Sequence, residues 1–205
     1  MPVNRRIDLD LPAIVTRLKN GGKLRRDELE TVKRRIANAP SDDDALYHLA
    51  RCLGLGAPPS NENVRLLEPL FSMSTEEWGL HGVIIALCID WGLTRNYIGK
   101  LLEISGPRVW ESHQSATISA LSALGKYLQD RDDREVAAAL LQYLEATSSS
   151  EAHLESAGLR EYRNSVWHAL DEWMRGRQAQ IEPTNFDPDS EAFREVMDRS
   201  RMLDS

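Results

Sequence analysis

The chain has 205 residues, 41% apolar and 28% charged, a balance that fits one well-buried core or about four to five helical-pair repeats. No apolar run approaches the roughly 18 residues that span a bilayer; the longest is Gly82 to Ile89, and the start Met-Pro-Val-Asn-Arg-Arg lacks the apolar stretch of a secretory signal. Residues 1 to 40 hold ten Lys or Arg against five Asp or Glu, a net of +5, whereas residues 41 to 205 hold 15 against 27, a net of −12; that acidic part would repel a phosphate backbone and suits a basic protein better.

The first predicted helix opens at Asp10-Leu-Pro, with a capping carboxylate and a proline in the first turn. Ile14, Val15 and Leu18 form its stripe, and Asn20-Gly21-Gly22 stops it. A second helix runs from about Asp27 with Leu29, Val32 and Ile36 inward and Arg26, Lys33 and Arg34 outward, ending before Pro40. Residues 1–40 thus read as an N-terminal capping pair.

Ser41-Asp42-Asp43-Asp44 places carboxylates where a helix N-terminus favours negative charge, and Leu46, Leu49, Cys52 and Leu53 follow at helical spacing. Ser60 or Asn61 starts the next helix, which carries Leu66, Leu67, Leu70 and Phe71; Pro69 predicts a kink or an early end. Ser74-Thr75-Glu76-Glu77 has the form of a capping box and leads into the most apolar helix, Trp78 to Trp91, which Gly92 closes. Thr94 caps a shorter helix with Tyr97, Ile98, Leu101 and Leu102, broken at Ser105-Gly106-Pro107.

From about Ser112 a long helix carries Ile118, Leu121, Leu124 and Leu128 beside Ala116, Ala120 and Ala123. Gly125 costs about 1 kcal/mol there relative to Ala, so either a neighbouring backbone packs against it or the helix bends. Asp130 to Asp133 forms the turn to a partner helix, Arg134 to Glu145, and Thr147-Ser148-Ser149-Ser150 reads as a linker. The last long helix, Leu159 to Trp173, is followed by a polar segment and by an amphipathic helix from Pro188 with Phe193, Val196 and Met197. The domain reading is therefore 1–176 for the helical body and 177–205 for the polar segment and last helix.

One phrase returns three times: Leu66-Leu67-Glu68, Leu101-Leu102-Glu103 and Leu140-Leu141-Gln142, at steps of 35 and 39 residues, each after a longer apolar pattern. A helix pair of this kind cannot bury its apolar face alone and stacks on copies of itself. The expected fold is all-α, an α-α superhelix of about four to five helical pairs. With Ala-Leu-Gly-x-x-Leu (Ala123 to Leu128), the acidic turn Asp130-Arg131-Asp132-Asp133 and Val136 to Leu141, the stretch from about 42 to 175 resembles the bacterial HEAT-repeat family. The resemblance is to the group with phycobilin-lyase-type and adaptor members, and more faintly to helical-repeat immunity proteins that block a cognate toxin. Helical solenoids of this kind bind rather than catalyse, and the family's fold does not fix its activity.

Catalytic and metal constellations are missing from the sequence. His48, His81, His113, His153 and His168 include no pair at i, i+3 or i, i+4. Asp187, Asp189 and Glu191 space like a calcium loop, but Ala192 stands where the turn needs Gly. There is no G-x-S-x-G, phosphate loop or Cys–His pairing. Cys52 and Cys88, both inside apolar patterns, read as reduced core thiols of a cytoplasmic chain.

The leading expectation is a non-enzymatic scaffold without cofactor or metal that binds a basic protein. Its partner-binding candidates are Glu76, Glu77, Asp130, Asp132 and Asp133 at helix edges, with Trp78 at a helix start and Trp110 in a turn, because Trp is enriched at binding hot spots. Each Trp could instead plug a seam between helices. Two alternatives stand beside it. A bilin-lyase-like or other ligand-handling enzyme would have only Cys88, His81 and Asp90 available, and a nucleic-acid binder would use Arg26, Lys33 and Arg34. Asp90 beside Trp91 is also similar to the acid and aromatic of HEAT-like DNA glycosylases, which need a basic concave face.

Overall fold

In the computed structural model of the chain, the described residues are 9–39, 45–147 and 157–175. Among them every regular element is helical. The expected capping run Ser41 to Asp44, the linker from Ser148 and the last amphipathic helix lie outside the described residues. The chain divides after Leu93 into two compact units.

In the first unit, α1 (Leu11–Lys19) starts as its sequence predicts, with the Asp10 carboxylate accepting from the Ala13 N–H. It ends at Gly21, whose φ of 80° is the left-handed conformation that favours glycine. α2 (Arg26–Ala37) is tied to it by Glu28, which accepts from the Arg25 N–H at 2.8 Å and from the Arg17 guanidinium at 2.5 Å. Burial opposes ionisation of Glu28, but these donors outweigh it and hold the carboxyl below the usual glutamate range.

The hub of this unit is α3 (Leu46–Gly56), against which α1, α2 and α5 all pack. Leu46, Leu49, Ala50, Cys52 and Leu53 are fully buried on it. α4 (Asn61–Leu67) ends early, as Pro69 requires, in a single tight turn over Glu68–Leu70.

α5 departs from the predicted helix at both ends. It is α-helical over Glu77–Ile84, and its cap is Glu76, which accepts from the Gly79 N–H; the expected box from Ser74 does not form. Ser74 instead pairs with Ser72, and Thr75 donates to the Leu70 carbonyl. From Ile85 to Asp90 the chain widens into a π-helix, with the Trp91 N–H reaching back five residues to the Ala86 carbonyl. The extra residue per turn rotates the following side chains away from their α-helical directions. Asp90 thereby meets Arg51 in a largely buried ion pair, and Trp91 Nε1–H donates to the Ala57 carbonyl at 2.9 Å. Gly54 makes room: a Cβ there would strike Asp90 Oδ2 and Ala86.

In the second unit, α6 (Ile98–Ser105) follows a short 3-10 turn, Thr94–Tyr97, and α7 (Pro107–Trp110) is one turn long. α8 (Gln114–Asp130) is the central helix, packed on α6, α7, α9 (Arg134–Thr147) and α10 (Ala157–Arg175). The expectation for Gly125 resolves in favour of close approach: a Cβ there would lie 2.9 Å from the Ala169 Cα of α10.

The last four carbonyls of a helix have no partner within it. In α6 each one is satisfied from outside. Tyr143 of α9 donates its hydroxyl to Leu102 O at 2.8 Å, Thr117 of α8 to Ile104 O at 3.0 Å, and Tyr162 of α10 to Ser105 O at 2.8 Å. Glu103 O accepts the Gly106 N–H. One helix end therefore anchors three others.

The Leu-Leu phrases do not sit in one register. Leu67 is buried and Leu66 half-buried, Leu101 is buried and Leu102 half-buried, while Leu140 and Leu141 are both buried. The spacing marks inward positions in each case, but the three copies present different flanks.

Candidate functional site

Trp78 is the large apolar side chain that stands out to solvent among the described residues, 54% exposed. It lies in the first turn of α5, one residue after Glu77 and two after the capping Glu76. His81, one turn on, packs its ring edge-to-face with Trp78 at 5.5 Å between centroids. Tyr47, from the first turn of α3, stacks on His81 at 5.2 Å with the planes 10° apart, and stands nearly perpendicular to Trp78 at 6.0 Å. The ring of His48, the next residue of α3, meets Tyr47 edge-to-face at 5.0 Å.

A backbone contact brings these rings together. Gly82 lies so close to α3 that a Cβ on it would fall 2.8 Å from the Tyr47 Cα and 2.9 Å from its carbonyl oxygen. Only a residue without a side chain allows that approach, and it sets Tyr47 beside the Trp78 and His81 rings. Trp78 is thus backed by two rings and keeps an exposed surface, as residues that anchor protein interfaces do.

The other candidates are dispersed. Trp110 is buried at 4% exposure, packed against Tyr162 with ring centroids 5.4 Å apart, so it fills the core of the second unit and offers no open surface. Asp133 is occupied locally: it accepts from the Tyr127 hydroxyl at 2.9 Å and from the Val136 N–H, capping α9. Asp132 faces Arg134 at 4.0 Å across an exposed pair, and Asp130 is exposed. Glu76 and Glu77 are half-exposed beside Trp78.

The groups available to enzyme chemistry are otherwise engaged. Burial pushes the Cys88 thiol up to about 12, as it does Cys52, so neither supplies a thiolate near neutrality. Asp90 is paired with Arg51, and His81 stacks on Tyr47. On the basic helix, Lys33 reaches Glu62 at 3.2 Å, while Arg26 and Arg34 are exposed. Among the described residues there is no cluster of three metal-ligating side chains, and no helix is long and apolar enough to cross a membrane.

A surface cleft of about 230 Å³ lies between α8 and α10, lined by Ile118, Leu121, Ser122, Ser165 and His168. Of its polar groups, Ser165 already donates to the Glu161 carbonyl at 3.0 Å.

The chain matches no family model, no curated protein and no solved structure. The site therefore rests on its own geometry. Sequence spacing singled out Trp78 and noted His81, but it missed Tyr47. The only available signal was Gly82 inside an apolar helix, which marks a close approach without naming what approaches.

Proposed function

We propose that the chain is a non-catalytic protein-binding scaffold of HEAT-like helical-repeat type, which holds a basic protein partner on the face formed by Trp78, Tyr47 and His81. A toxin-neutralising immunity protein or a regulatory adaptor would be specific instances. The observation that carries the reading is Trp78, 54% exposed on a backing of two aromatic rings. A solvent-facing Trp costs apolar hydration in the unbound chain, and covering it is a large part of what a hot spot contributes. The sign of the partner follows from charge: between residues 41 and 93 the sequence has two Arg and no Lys against eight Asp or Glu, a net of −6.

A photo-crosslinking residue at position 78, introduced in the source cell, should capture one protein rich in Lys or Arg. Binding of that protein to the Trp78→Asp variant, measured by calorimetry, should fall at least about tenfold, with the helical circular dichroism unchanged. A captured partner whose binding is indifferent to Trp78→Asp would overturn the assignment of the face.

A further inference from the structure

We infer that the Trp78 face is an arginine-binding site: the guanidinium of an arginine side chain on the partner lies on the exposed Trp78 ring, with the Glu77 and Glu76 carboxylates supplying the opposing charge. The inference rests on the proposed protein-binding reading and narrows it to one side-chain chemistry.

Three observations converge. First, Trp offers the strongest aromatic surface for a cation, and Trp78 is more than half exposed. Second, the ring is held still. Tyr47 and His81 are nearly parallel to each other, and Trp78 is perpendicular to both, at 82° and 90°. A ring fixed by edge-to-face contacts loses little freedom when a planar group stacks on it.

Third, the local charge is negative despite two helix starts. An α-helix N-terminus carries about half a positive charge, so the starts of α3 and α5 together place about one positive charge near the cluster. Against that stand two carboxylates, Glu76 and Glu77, at the start of α5. The carboxylates win by count. Glu76 spends one oxygen on the Gly79 N–H and retains its full charge. An exposed Trp with carboxylates at the same helix start suits arginine better than lysine, because the guanidinium is planar, stacks on rings and donates in a fork.

The test uses the intact chain, labelled with ¹⁵N and observed by NMR, with the Trp78 indole signal assigned by its loss in Trp78→Phe. The probe is the capped peptide Gly-Arg-Gly-Arg-Gly; the controls are the same peptide with citrulline, which keeps the shape and lacks the charge, and with lysine. The expected result is movement of the Trp78 indole signal and of the Tyr47 and His81 amides with the arginine peptide, less with lysine and none with citrulline. Trp78→Ala should weaken binding by about two- to fivefold, the range for a cation on an exposed ring, and Glu77→Gln should weaken it further at low salt.

Equal shifts with arginine and citrulline peptides, or arginine shifts that map away from α3 and α5, would overturn the arginine site. A crosslinked partner that is lost with Trp78→Asp but is unaffected when its own contacting arginines are replaced would also overturn it, while leaving the protein-binding face standing. Failure of Trp78→Asp to affect the partner would remove the face itself.

Discussion

Tyr162 shows how one polar atom can hold a helical core in place. The side chain is fully buried, and burial raises its phenol above the ordinary tyrosine range, so it stays protonated and remains a donor. Its hydroxyl satisfies the Ser105 carbonyl at the end of α6. Replacing it with Phe keeps the ring and strands a buried acceptor, a loss of about 1–3 kcal/mol. The midpoint of urea unfolding should fall accordingly. An unchanged midpoint would mean that Ser105 O finds another donor. Trp110, packed on the same ring, illustrates the ambiguity of a Trp in sequence: identical chemistry serves a seam or a surface, and here burial decides for the seam.

At the scale of elements, two ionic ties fix helices in the first unit, and they respond differently to change. Arg51 of α3 is buried, and Asp90 at the end of the π-helix is nearly so, its side chain 10% exposed. A buried pair gains little over an apolar pair of the same size, but removing one partner leaves a charge uncompensated. Asp90→Asn should therefore cost about 3–5 kcal/mol, while the double change Arg51→Met with Asp90→Leu should recover most of it. Denaturant unfolding of the three chains decides the matter; a double variant as unstable as the single one would show that the pair contributes net stability.

Glu28 ties α2 to α1, and its effect should be visible in pH. Its folded carboxyl titrates lower than in the unfolded chain, so its stabilisation is complete above the ordinary glutamate value of about 4.3 and is lost as pH falls through the lower folded value. Glu28→Gln should reduce stability at neutral pH and flatten the acid limb of the stability curve, read as urea midpoints from pH 7 to pH 3. An acid limb identical to that of the parent chain would place the dependence on other carboxylates.

Across the whole molecule the charge is divided, +5 over residues 1 to 40 and −12 over the rest. For a basic partner this field acts mainly on the encounter, because rim charges steer association while buried anchors govern dissociation. Charge reversal at Glu76, Glu77, Asp132 and Asp133 should slow association with the captured partner and weaken its salt dependence. Stability should shift less for exposed Asp132 than for Asp133 and Glu76, which cap α9 and α5. Stopped-flow rates at several ionic strengths give the answer, and an association rate indifferent to salt would turn attention to the exposed Arg26 and Arg34.

The all-helical class was legible in the sequence because a 3.6-residue period records which side of a helix is buried, and the turns at Gly21, Gly92 and Pro69 depend on backbone chemistry local to each residue. Gly125 was legible in part, since a glycine inside a helix requires a reason, though not which reason. Other features depended on partners distant in the chain. The π-helix breaks the very period by which helices are read; the hydroxyls of Thr117, Tyr143 and Tyr162 meet one helix end from 13, 41 and 57 residues away. The aromatic face follows the same logic. Trp78 and His81 share a helix face by spacing, but Tyr47 joins them only because Gly82 lets two backbones touch. Period and turn chemistry are properties of neighbouring residues and are written locally, whereas a contact between elements depends on how close their backbones come, and that only the tertiary structure decided.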